Sequence, residues 1–137
     1  MAKNPDPGVF ERYFGLRIAC IEADAGWVCH FAYRMDHAPR RHRSWLPPRQ
    51  ELLRLPSEYF AECSYTTFQN DWVAFRSVDL MNWRRFMWAN DLPHSDSTLP
   101  WSQEILAEHA AGFREEQRRA ILSDNVAELY RIDRSAL

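Results

Sequence analysis

An α/β fold made of parallel strand–helix units is predicted from this sequence on three observations. Runs of strand-favouring residues recur at 16–21, 64–68 and 85–89. Each is followed by apolar residues at helical spacing. The resulting alternation of strand and helix, repeated three times, is that of parallel βα units.

Residues 16–21 (Leu-Arg-Ile-Ala-Cys-Ile) are mostly apolar, stop at Glu22 and read as a buried strand. After Gly26, apolar residues at Trp27, Val28, Phe31, Met35 and Ala38 predict a helix that Pro39 interrupts. Residues 44–55, with Pro47-Pro48, read as a loop with a helical remnant, and order restarts at 56–60. Residues 64–68 (Ser-Tyr-Thr-Thr-Phe) predict the second strand, followed by Gln69-Asn70-Asp71. The apolar residues between Trp72 and Trp83 predict a single helix. The third strand, 85–89, delivers Asn90 and Asp91 at its end, and Pro93 then turns the chain out of the sheet. Ser102 is placed to cap a helix bearing Ile105, Leu106, His109 and Phe113. A further helix covers 114–122, and Asp124-Asn125 are placed to cap a last turn with Leu129 and Tyr130.

In folds of this grammar the reactive groups sit where strands end and loops begin. Glu22, Gln69 and Asp91 fall at that edge. Three units make only part of a barrel, which needs eight strands and typically about 250 residues.

The bulk numbers exclude several classes. Over 137 residues the chain is 46% hydrophobic and 26% charged, as a folded globular domain requires. A formal charge of −2 gives no electrostatic case for nucleic acid or a membrane surface, and Arg40-Arg41-His42-Arg43 reads as a solvated basic turn. No run reaches the roughly 18 apolar residues of a membrane span, and residues 1–8 lack the apolar stretch of a signal peptide. Cys20, Cys29 and Cys63 form no CxxC pair and are expected as reduced thiols in a cytoplasmic protein. His37 and His42 do not share a helical face as a ligand pair would. GxSxG, HExxH, P-loop and GxGxxG motifs are absent.

The segment 86–98 (Phe-Met-Trp-Ala-Asn-Asp-Leu-Pro-His-Ser-Asp-Ser-Thr) resembles the strand-eight signature of the amidohydrolase-related family, the group that includes aminocarboxymuconate-semialdehyde decarboxylase. Residues 121–130, Ile-Leu through Asn125 to Leu129-Tyr130, are similar to that family's closing helix. Residues 8–12 and 22–27 resemble the approach to strand six, and 34–36 and 56–60 the segments between. The resemblance implies an α/β chain forming the C-terminal portion, about three βα units, of a metal-dependent hydrolase (β/α)8 barrel. As a single partial domain over 1–137 it would hold strands six to eight with their helices.

The implied activity is that of a hydrolase or carboxy-lyase acting on a small carboxylic or carbonyl substrate. The implied cofactor is a divalent metal, usually zinc, that activates water. The family's strand-eight Asp, as metal ligand or proton carrier, would be Asp91. A carboxylate suits both tasks, being a hard anion that also accepts a proton. His94 would contact substrate or orient Asp91. Glu22 stands where the decarboxylase subgroup has a His, and reads either as an active-site residue or as a polar strand terminus.

No His-x-His of strand one is present in the sequence; Phe14, Asn90 and Leu92 also depart from the usual residues. The metal ligands of strands one to five would therefore come from elsewhere, and the chain alone is expected to be incomplete. Another chain covering the open sheet edges is one expected partner. The alternative reading is a non-catalytic remnant or interaction protein of the same fold.

Overall fold

The structure is a computed structural model that describes residues 8–41 and 53–133. Its centre is a three-stranded parallel sheet in the order β1-β2-β3, formed by β1 (Ile18–Cys20), β2 (Ser64–Phe68) and β3 (Phe86–Trp88). In register, Ala19 lies opposite Tyr65, and Thr67 opposite Met87. All three predicted strands form, in the predicted parallel sense.

The helices are α1 (Val9–Arg12), α2 (Val28–Arg41), α3 (Pro56–Cys63), α4 (Trp72–Ser77), α5 (Ser102–His109), α6 (Glu115–Arg119) and α7 (Asn125–Tyr130). The core lies between the sheet and α2, α4, α5 and the turn after α6. Val28, Phe68, Phe75, Phe86, Leu106 and Ile121 are its main members. Phe68 sits edge-on to both Phe75 and Phe86, with centroids 5.0 and 6.4 Å away. Removing such apolar surface from water is the dominant stabilising term.

Several expectations need correcting. β1 is not a buried strand: Ile18 is 45% and Ile21 47% exposed, because among the described residues β1 has one strand neighbour and stands at the sheet margin. Pro39 does not interrupt α2, which runs to Arg41. Among the described residues two follow the proline in the helix, so its missing N–H removes a bond from the last described turn. Residues 72–83 are not one helix. After α4 come 3-10 turns at Val78–Leu80 and Trp83–Arg85, separated by extended Met81. Asn82 explains the break, since its Oδ1 accepts the Arg84 N–H and its Nδ2 donates to the Ala61 carbonyl.

Ser102 is the first residue of α5 rather than its cap, and its hydroxyl pairs with that of Thr98. Asp124-Asn125 do not start a new turn. A wide π turn at Ala120–Asp124 joins α6 to α7, and the Asn125 amide donates to the carbonyls of Trp83 and Phe86. The loop expected at 44–55 lies mostly outside the described residues. No described helix is long and apolar enough to cross a membrane.

Candidate active site at the strand ends

The candidate residues lie just past the C-terminal ends of β1 and β3, and their backbones are unusual in the same way. Glu22 and Asp91 both have φ 58°, and Asp24 has φ 52°. Positive φ is uncommon for residues with a side chain and costs roughly 1–3 kcal/mol, so surrounding bonds must hold each in place.

Around Asp91 the loop closes on itself. Its carbonyl accepts the His94 N–H at 2.8 Å, and the Asn90 carbonyl accepts the Thr98 N–H at 3.0 Å and the Ser97 hydroxyl at 2.8 Å. The Asn90 side chain accepts the Leu92 N–H. The Thr98 hydroxyl, itself buried, meets Ser102 at 2.9 Å and seats the loop on α5. The Leu92–Pro93 and Leu99–Pro100 bonds in this loop are cis. The Asp91 side chain is 19% exposed, and its Oδ2 lies 3.5 Å from His94 Nδ1. The fold sets Asp91 and His94 side by side, with the imidazole 65% exposed.

The loop after β1 is held from the β2 side. The Glu22 N–H donates to Thr67 Oγ1 at 2.9 Å, and Asp24 Oδ1 accepts the Gln69 N–H. Asp71 is the central brace: Oδ2 accepts the N–H groups of Ala25 and Gly26 at 2.9 and 2.6 Å, while Oδ1 caps α4 through Ala74 at 3.0 Å. A side chain on Gly26 would meet Val73 Cβ at 2.8 Å, which is why glycine stands there. The Glu22 side chain is exposed. Sequence reasoning missed Asp71 and Thr67 as positioning residues. An Asp directly before an apolar helical run is a capping signal that would have pointed to Asp71.

Gln69 lies between the two ends. Its carbonyl accepts the Trp88 indole N–H at 2.9 Å, and its own Oε1 is enclosed without a hydrogen-bond partner among the described residues. A cleft of about 450 Å³ lies elsewhere, between α2, α3 and residues 80–86 near the strand starts, and Asp91, His94 and Glu22 do not line it.

As a metal site these residues are one corner only. Among the described residues no three His, Cys, Asp or Glu side chains converge. A catalytic zinc typically takes three protein ligands and water. Asp91 can contribute one anionic ligand; the described residues do not complete a cage.

Comparison with known proteins agrees with this partial picture. The Amidohydrolase family model matches residues 7–132. No curated protein matches the chain. Among solved structures, the chain is similar to 5-carboxyvanillate decarboxylase from Sphingomonas paucimobilis, with 21% identity and a TM-score of 0.73. That match covers 92% of this chain and 37% of that one. The 2,6-dihydroxybenzoate decarboxylase from Rhizobium is similar at 20% identity and TM-score 0.67, covering 92% and 38%. The 5-carboxyvanillate decarboxylase from Novosphingobium aromaticivorans, solved with manganese and 4-hydroxy-3-methoxy-5-nitrobenzoic acid, gives 18% and 0.70, covering 91% and 36%.

At these identities the likeness shows the fold. The chain spans about a third of the length of the structures it matches, and its three βα units have the fold of part of a (β/α)8 barrel. With the family matched over nearly all its length, the chain belongs to the amidohydrolase family.

Proposed function

We propose that β1, β2 and β3 are strands six, seven and eight of an amidohydrolase-type barrel, and that the completed barrel is a carboxy-lyase or hydrolase for a small carboxylic acid. The observation that carries this reading is the Asp91 carboxylate, held at the end of β3 by a loop that closes on itself and keeps φ at 58°. Such preorganisation suits a reacting group.

In this reading Asp91 lends one carboxylate to a divalent cation whose remaining ligands sit on other strand ends, and it can accept or return a proton there. The cation would polarise the substrate or activate water when bound. The resemblance favours zinc, whereas the Novosphingobium relative carries manganese, so both ions belong in the test. His94 stands outside Asp91, able to orient it or to meet the substrate's polar groups. Glu22, at the other end of the sheet, faces substrate rather than the metal. The named relatives are decarboxylases of aromatic acids, which favours an aromatic carboxylate and the release of carbon dioxide. The free state of Cys20, Cys29 and Cys63 supports a reducing, cytoplasmic setting.

The test is turnover. This chain is co-expressed with a polypeptide carrying the first five βα units of the Sphingomonas decarboxylase, loaded with zinc or manganese, and carbon dioxide release from hydroxybenzoic acids is measured. The reading expects metal-dependent release that falls by about a thousandfold in Asp91→Asn. Release that is indifferent to Asp91→Asn would overturn it.

A further inference from the structure

Gln69 stands directly past β2, the middle strand, and its backbone is tied to both neighbours. Its N–H donates to Asp24 Oδ1 at 3.3 Å, in the loop after β1. Its carbonyl accepts the indole N–H of Trp88, in β3, at 2.9 Å. The root of the side chain is thereby fixed between the strand ends that carry Glu22 and Asp91.

The side-chain amide is not settled in the same way. Among the described residues Oε1 is enclosed without a hydrogen-bond partner, while the residue as a whole is only half-buried. The other end of the planar amide, Nε2, is therefore on the open side, where it presents two N–H donors. An enclosed acceptor without a donor destabilises a fold, and an apolar side chain of similar length would remove the penalty. Stability does not account for glutamine here; what its outward end meets does.

We infer that Gln69 is a specificity residue of the candidate site, and that its Nε2 donates to a neutral oxygen of the substrate: a hydroxyl, ether or carbonyl group. This rests on the reading of these strand ends as a site for a small carboxylic acid. Charge selects the neutral oxygen. The Asp24 carboxylate is bonded to the N–H of Gln69 itself, and Glu22, whose N–H meets Thr67, adds a second negative group. A substrate carboxylate is repelled there and belongs with the cation at Asp91. The uncharged amide is left to read a different oxygen, and a substrate lacking it leaves the amide unpaired.

The test uses the full chain without metal and reads the amide directly, in proton–nitrogen NMR correlation spectra. The Gln69 NH2 pair is assigned by its disappearance in Gln69→Met. Resorcinol, a neutral dihydroxybenzene, should shift that pair saturably, with half the effect at roughly millimolar concentration. Toluene, which has no oxygen, should leave it unmoved, and benzoate should shift it less than resorcinol does. Gln69→Met should also melt about 2 °C or more above the native chain, because the enclosed acceptor is gone. An NH2 pair unmoved by resorcinol, or moved equally by toluene, overturns the proposal. So does a lower melting temperature in Gln69→Met, which would make the amide a structural brace. Turnover in the completed barrel without any response at Gln69 would keep the chemistry above and remove this assignment; a response without turnover would do the reverse.

Discussion

The ends of β1 and β3 carry the same backbone device and are built to different degrees of completion. Glu22 and Asp91 share φ 58°. Asp91 is mostly buried, lies beside His94 and sits in a loop closed by its own hydrogen bonds, and Asn125 meets the Phe86 carbonyl at the start of β3. Glu22 is exposed, and its loop is held from the β2 side, by Thr67, Gln69 and Asp71. The difference teaches which loop keeps its own shape: the Asp91 loop is closed by its own bonds, and the Glu22 loop is held by β2 and the residues that follow it.

The comparison can be broken most forcefully in the core. Phe68→Ala should cost about 3–5 kcal/mol in a denaturant titration, against less than about 1 kcal/mol for Ile18→Ala in the chain alone. Equal costs would mean that β1 is as well packed as β2. Next, Asp71→Ala strands three N–H donors and should cost about 3 kcal/mol. Amide exchange should localise the loosening to residues 22–26 while the Asp91 loop keeps its protection. Asn125→Ala should cost about 1–3 kcal/mol, because the Trp83 and Phe86 carbonyls lose their partner.

The smallest effect concerns α1, which reaches α3 through Glu11. The Tyr59 hydroxyl and then the Leu53 N–H donate to Glu11, holding its carboxyl below the usual glutamate value of 4.5. A depressed carboxyl stabilises the fold above the unfolded value and loses that contribution as pH falls through the folded value. Thermal melts between pH 5 and 3, expressed as about a two-unit window, should therefore decline slightly more in the native chain than in Glu11→Gln.

How far the sequence could be read depended on whether a residue's role was local. The strand at 64–68 and the placement of Asp91 past β3 were readable, because strand-favouring residues and the terminating Pro93 act over a few positions. The burial of β1 was misread, since an apolar run does not say how many neighbours a strand has. Asp124-Asn125 were read as a cap from their residue types, yet Asn125 spends its amide on carbonyls about forty positions earlier, a partnership no local pattern reveals. The same applies to Asn82, which ends a predicted helix by bonding to Ala61. At the candidate site, Asp91, His94 and Glu22 came from a resemblance to a family, and the bracing by Asp71 came only from the fold.

The most direct measurement is the metal content of the co-expressed complex, by elemental analysis after manganese loading and gel filtration. The account predicts about one ion per complex, lost by roughly tenfold or more in Asp91→Asn and retained in Glu22→Gln. Retention of the ion in Asp91→Asn would contradict it.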